Sequence, residues 1–125
     1  MIEIDGYKVG FFGLITPDTP DLSSTGDYMK FGDLVTNANA QVTLLQEQGA
    51  DVIVALTHNS FAEDQTLMDI KGINLILGGH DHDPTTLYDG RTLLHKSGED
   101  AQYLGVITLE IETKEGRKGP YVDVT

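Results

Sequence analysis

The chain has 125 residues, 39% of them hydrophobic, a formal net charge of −12 and no cysteine, which sets one domain around one core. The charge excludes non-specific binding of a nucleic-acid polymer, which needs clustered Lys and Arg. The lack of cysteine excludes disulfides and thiolate ligands, so His, Asp, Glu or Asn would have to hold any metal. No apolar run is long enough for a membrane span, Met1 opens no secretory signal, and no repeat or linker breaks the chain.

Met1 to Ile15 reads as a hairpin. Ile2 and Ile4 alternate with acids, Asp5-Gly6 is the turn, and the second arm, Val9 to Ile15, is apolar enough to be buried on both faces. Thr16-Pro17-Asp18-Thr19-Pro20 ends it, because two prolines cannot continue a ladder. Asp21 to Gly32 is loop-like. A helix follows from Leu34 to Gln48, with Asp33 as N-cap, a stripe of Leu34, Val35, Ala38, Val42 and Leu45, and Gly49 just beyond its end.

Asp51 to Leu56 is the next strand, with Thr57-His58-Asn59-Ser60 at its end. Phe61 to Ile70 is a shorter helix carrying Asp64, and Ile73 to Leu77 is a third strand. This β-α-β-α-β order favours parallel pairing. Beyond Pro84 the pattern turns to hairpins. Leu87 to Leu94 holds an Asp-Gly turn, Tyr103 to Ile111 alternates like a half-buried strand, Lys114 to Gly119 is a turn, and Tyr121 to Val124 returns antiparallel. The expected fold class is α/β, with a mixed sheet and flanking helices.

The chemistry gathers at Asn74 to Asp83, where an apolar strand ends in Gly78-Gly79 and then offers His80 and His82. Open α/β sheets place ligands at such strand ends. His58 ends a neighbouring parallel strand, so His58, His80 and His82 are expected to converge. Three neutral imidazoles suit zinc, manganese, iron or nickel rather than calcium or magnesium. Asp64, Asp81 and Asp83 are available carboxylates, although alternation with the histidines points Asp81 away. An acidic domain can still take an anionic substrate when bound dications reverse the local field.

Thr57-His58 after a strand, Asp64 in the next helix and Gly78-Gly79-His80-Asp81-His82 resemble the second half of the calcineurin-like metallophosphoesterase domain. The 5′-nucleotidase and 2′,3′-cyclic-nucleotide phosphodiesterase branch is the more similar one. Val9 to Leu14 resembles the strand that opens this half, and Ser97 to Gly105 resembles the segment that follows the histidine corner. The resemblance implies half of a four-layer α/β/β/α sandwich and a dinuclear centre of two divalent ions such as Zn, Mn or Fe. In it His58 and His80 would bind one ion and His82 the other. Asp64 would be no ligand but a helix cap, a surface acid or a residue supporting the ligands from behind, Gln102 and Tyr103 would pack a loop, and His95 would be structural or exposed.

The family's first half carries Asp-x-His, Gly-Asp-x-x-Asp and Asn-His motifs, and none of them occurs here. Gly32-Asp33-Leu34-Val35-Thr36 places Thr where the bridging Asp should stand. Residues 1–125 are therefore read as the C-terminal half of a catalytic domain, a fragment with no catalytic residue of its own. The parent is expected to hydrolyse nucleotides or related phosphate esters with metal-activated water, and family resemblance favours an exported location. The missing N-terminal half is an expected partner. The bare sheet face, expected around Phe11, Leu14, Val54 and Ile76, would favour a homodimer. Two rival readings remain: a non-catalytic metal- or phosphate-binding module, and a plain α/β domain with incidental histidines.

Overall fold

The computed structural model describes residues 1–112 and 121–124. In chain order its elements are β1 (Ile2–Ile4), β2 (Tyr7–Ile15), α1 (Thr19–Leu22), α2 (Leu34–Glu47), β3 (Val52–His58), α3 (Phe61–Leu67), β4 (Leu75–Gly78), β5 (Pro84–Tyr88), β6 (Leu93–Ser97), β7 (Leu109–Glu112) and β8 (Tyr121–Val124). Six strands form one sheet in the order β1-β2-β3-β4-β6-β5. Its four inner strands run parallel, and β1 and β5 close the edges antiparallel. The expected mixed sheet is present. Strands β7 and β8 pair separately, and the expected turn at Lys114 to Gly119 lies outside the described residues.

Local signals explain most of these elements. Asp5 and Gly6 both take positive φ, 51° and 85°, the geometry of a two-residue hairpin turn. The Asp33 carboxylate caps α2 by accepting from the Thr36 N–H at 2.7 Å. Ser60 and Glu63 form a reciprocal capping box at the start of α3, which satisfies backbone donors that the first turn leaves open. Burial pushes the Glu63 carboxyl up, but hydrogen bonds from Ser60 and Thr16 and the charge of His80 prevail and hold it below its ordinary value.

Period-2 alternation sorts the strand residues onto two faces. One face (Phe12, Ile53, Ala55, Ile76 and Leu94) packs under Leu34, Ala38, Val42 and Leu45 of α2 and Leu67 of α3. Val35, expected in that stripe, is 39% exposed. The opposite face (Val9, Val52, Val54, Leu75 and Leu93) is roofed by Ile107, Leu109 and Ile111. Burial alternates only from 104 to 111, since Tyr103 and Leu104 are both exposed, and ladder pairing begins only at Leu109.

Three sequence expectations change. Thr19–Leu22 forms a short helix, because Pro20 suits a helix's first turn as well as it stops a strand. Strand β2 is not buried on both faces, since Phe11 and Ile15 are 39% and 48% exposed. The uncovered face does lie towards the strand ends, but among the four residues expected there it includes only Phe11. Leu14 and Ile76 belong to the helix side, and Val54 lies beneath the Ile107–Ile111 roof. Leu56, 46% exposed, joins Phe11 and Ile15 on the bare part.

Candidate functional site

Strands β2, β3 and β4 finish on one sheet edge, with Ile15 opposite His58 and Thr57 opposite Gly78. His58 closes β3, and His80 lies two residues past β4. Their rings meet edge to face, with centroids 5.2 Å apart. Loop backbone holds them there: the Thr16 N–H donates to the His58 carbonyl and the Gly79 N–H to the Thr57 carbonyl, both at 3.1 Å. His80 and His82 have φ of 81° and 65°. This left-handed region costs a non-glycine residue on the order of 1 kcal/mol and persists where surroundings over-determine it.

His82 takes a different partner. Its Nδ1 lies 2.8 Å from Glu99 Oε2, and both side chains are well exposed. Among the described residues, no group of three or more His, Asp or Glu side chains is placed to hold a metal ion. His58 and His80 offer two nitrogen donors, which fit one zinc-, manganese- or iron-like ion chemically. A complete shell calls for further donors. His95 is occupied elsewhere, by Thr86 Oγ1 at 2.9 Å and Ser97 Oγ at 3.0 Å, a structural role as expected.

Beneath the two histidine loops lies a buried charged cluster. Lys96 on β6 is 2% exposed and Asp64 on α3 is fully buried. The Lys96 ammonium donates to the carbonyls of Asn59 (2.7 Å) and Gly79 (2.9 Å) and to Asp81 Oδ2 (2.5 Å). Those three bonds use all its protons. Asp64 Oδ2, 3.0 Å away, is therefore paired by charge and receives no hydrogen bond. Its Oδ1 accepts from Asn59 Nδ2 at 3.0 Å. Asp64 is thus neither helix cap nor surface acid; it is the buried counter-charge of Lys96.

Asp81 points into this cluster, its Oδ1 accepting from the Phe61 N–H at 3.2 Å. Burial pushes its carboxyl up, yet the hydrogen bonds from Lys96 and Phe61 and the charges of Lys96 and His80 hold it below the usual carboxylate range. Sequence reasoning did not single out Lys96 or Asn59. The available signal was Lys96 itself, a lysine at an inward period-2 position two residues after the core residue Leu94.

Gly78 is explained by this packing. A Cβ there would lie 2.7 Å from Asp64 Oδ2, 3.0 Å from Thr57 Oγ1 and 3.1 Å from Lys96 Cε. Of these neighbours, Lys96 is held by three acceptors and Asp64 by Asn59, which limits how far either can move aside. Gly78→Ala is expected to cost about 1–3 kcal/mol as overpacking, measurable by urea denaturation. A loss under a few tenths of a kcal/mol would mean that the cluster is looser than these distances state.

No family model matches the chain. Curated proteins do. The snake venom 5′-nucleotidase of Crotalus adamanteus is 34% identical over 123 residues, which cover 98% of this chain and 20% of that protein. The trifunctional nucleotide phosphoesterase YfkN of Bacillus subtilis is 36% identical over 124 residues, covering 91% of this chain and 8% of its own length. Among solved structures, the 5′-nucleotidase precursor of Thermus thermophilus superposes with a TM-score of 0.81 at 25% identity, over 98% of this chain and 28% of that one. The calcineurin-like phosphoesterase YfkN matches with a TM-score of 0.71 at 25% identity, over 94% of this chain and 44% of that one.

A sheet whose adjacent strand ends pair two histidines, together with these matches, makes the chain a member of the calcineurin-like phosphoesterases. Within that class it belongs with the 5′-nucleotidases and YfkN. It spans about a fifth or less of the length of curated relatives it matches.

Proposed function

We propose that this chain forms the second half of the catalytic domain of a metal-dependent phosphoesterase acting on nucleotides or related phosphate esters. The observation that carries the reading is the His58–His80 ring pair at the ends of two parallel strands, in a chain related to proteins named as 5′-nucleotidases. In this reading His58 and His80 share one divalent ion, and His82 serves a second after exchanging Glu99 for it. Bound dications polarise a phosphoryl group and activate water. The chain's own part is to present imidazoles from a rigid sheet edge. Relatives named as venom enzymes support an exported parent.

Metal titration tests the assignment. Zinc or manganese should bind the chain weakly. Binding should weaken as the solution is acidified, because protons compete with a metal for imidazole nitrogens. His80→Ala should weaken binding most, since His80 shares one ion with His58 and adjoins the other. Unchanged affinity in that variant would remove the ligand assignment.

The exposed Ile15 and Leu56 line a groove with Gly13, His58 and Leu77, and the exposed Phe11 lies on the same sheet face. We assign this face to the N-terminal half of the domain. In the chain alone, two copies should pair through it, because exposed apolar patches recruit partners. Sedimentation should show a dimer that Leu56→Glu converts to monomer. A wild-type chain that stays monomeric at high concentration would count against the half-domain reading.

A further inference from the structure

His58 ends one strand and His80 stands on the loop after another, and a third strand supplies what ties the two together. Asn59 directly follows His58, and Gly79 directly precedes His80. The carbonyls of both residues accept from the same Lys96 ammonium, at 2.7 and 2.9 Å. Each tie therefore acts one residue away from a histidine α-carbon. The third proton goes to Asp81 on the far side of His80, and Asp81 in turn holds the Phe61 N–H that begins α3.

We propose that Lys96 is a positioning residue, a buried ammonium that clamps the β3 and β4 loops and so sets the mutual geometry of the His58 and His80 rings for a shared divalent cation. The cation rests on the functional reading above; the ring geometry does not. Lys96 touches no substrate, because it is 2% exposed and its three donors are already engaged. Apolar filling of the same space would lack the ties. A methionine could occupy the volume of the lysine stem but could not hold two carbonyls and a carboxylate at one point. The clamp also accounts for His80 staying at positive φ, which requires a surrounding that fixes it.

The test uses the whole chain and reads geometry and metal separately. In the metal-free protein, proton NMR should show a nuclear Overhauser contact between the His58 and His80 rings. Lys96→Met with Asp64→Asn removes the clamp without leaving a buried charge unpaired. This double variant should keep a dispersed, folded spectrum, lose the ring contact, and bind zinc about 10–100-fold more weakly, as loss of a group that orients ligands does. A ring contact that survives in the folded variant overturns the proposal, whatever the zinc affinity. A wild type that binds no zinc, but whose ring contact vanishes in the variant, supports the clamp and sinks the metal reading instead. Should the variant not fold, the wild type decides. Contacts from the Lys96 ammonium protons to both the Asn59 and Gly79 loops support the clamp, and their absence overturns it.

Discussion

Lys96→Met is expected to destabilise the chain by about 3–5 kcal/mol, the usual loss when one partner of a buried ion pair is removed. The size follows from what is left behind. Asp64 is fully buried, and without Lys96 its carboxylate retains only the bond from Asn59 Nδ2. The carbonyls of Asn59 and Gly79 lose the Lys96 donor as well. Asp81 suffers less, because it is part-exposed and keeps the Phe61 N–H. Adding Asp64→Asn should recover a large part of the loss, since the stranded charge is then gone while a hydrogen-bonding amide remains. Urea denaturation of the wild type, the single variant and the double variant measures this coupling. A single-variant loss below about 1 kcal/mol would mean that water reaches the pair, as at a surface ion pair.

The chain alone is expected to show no metal-dependent turnover of nucleotides, while the longer protein of which we propose it is part should turn them over. Two-metal hydrolysis holds its ions about 3.5–4 Å apart, so that attacking and leaving oxygens are stabilised together. Among the described residues the rings brought together are those of His58 and His80, and His82 is engaged by Glu99. The family's bridging aspartate and its Asn-His dipeptide do not occur in the sequence. Loss of general-acid help alone typically costs ~10²–10⁴-fold. Assays with manganese or zinc on nucleoside monophosphates and an aryl phosphate, for the chain and for the longer reading frame, give the comparison. Fragment turnover within about tenfold of the longer protein, abolished by His80→Ala, would show a complete enzyme.

A neutral-buffer assay and a stability measurement separate these two outcomes. The Lys96 cluster lies beneath the histidine loops and can be intact in a chain with no activity. The His58–His80 pair can likewise be present while the substrate-facing groups sit on another part of the protein. The proposed half-domain reading would account for both, and it assigns the bare face at Phe11, Ile15 and Leu56 to the other half.

What could be read without coordinates was local. The Asp5-Gly6 turn, the Asp33 cap, the apolar face of α2 and the strand ends carrying His58 and His80 each depend on residues within a few positions of one another. Backbone preference and hydrophobic period act over that range, and they also imply that parallel strands share an edge. The resemblance of Gly78-Gly79-His80-Asp81-His82 to the phosphoesterases added the class. The tertiary structure decided the rest. Asp64 looks like an exposed helix acid until α3 lies against β6, when Lys96 becomes its counter-charge. Gly78 looks like a turn residue until Asp64 and Lys96 are seen filling the space a side chain would need. His82 matches a ligand motif, yet its ring is held by Glu99 from the far side of a hairpin. Each of these depends on which distant groups share one volume, because burial and charge pairing are set by three-dimensional neighbours and not by neighbours along the chain.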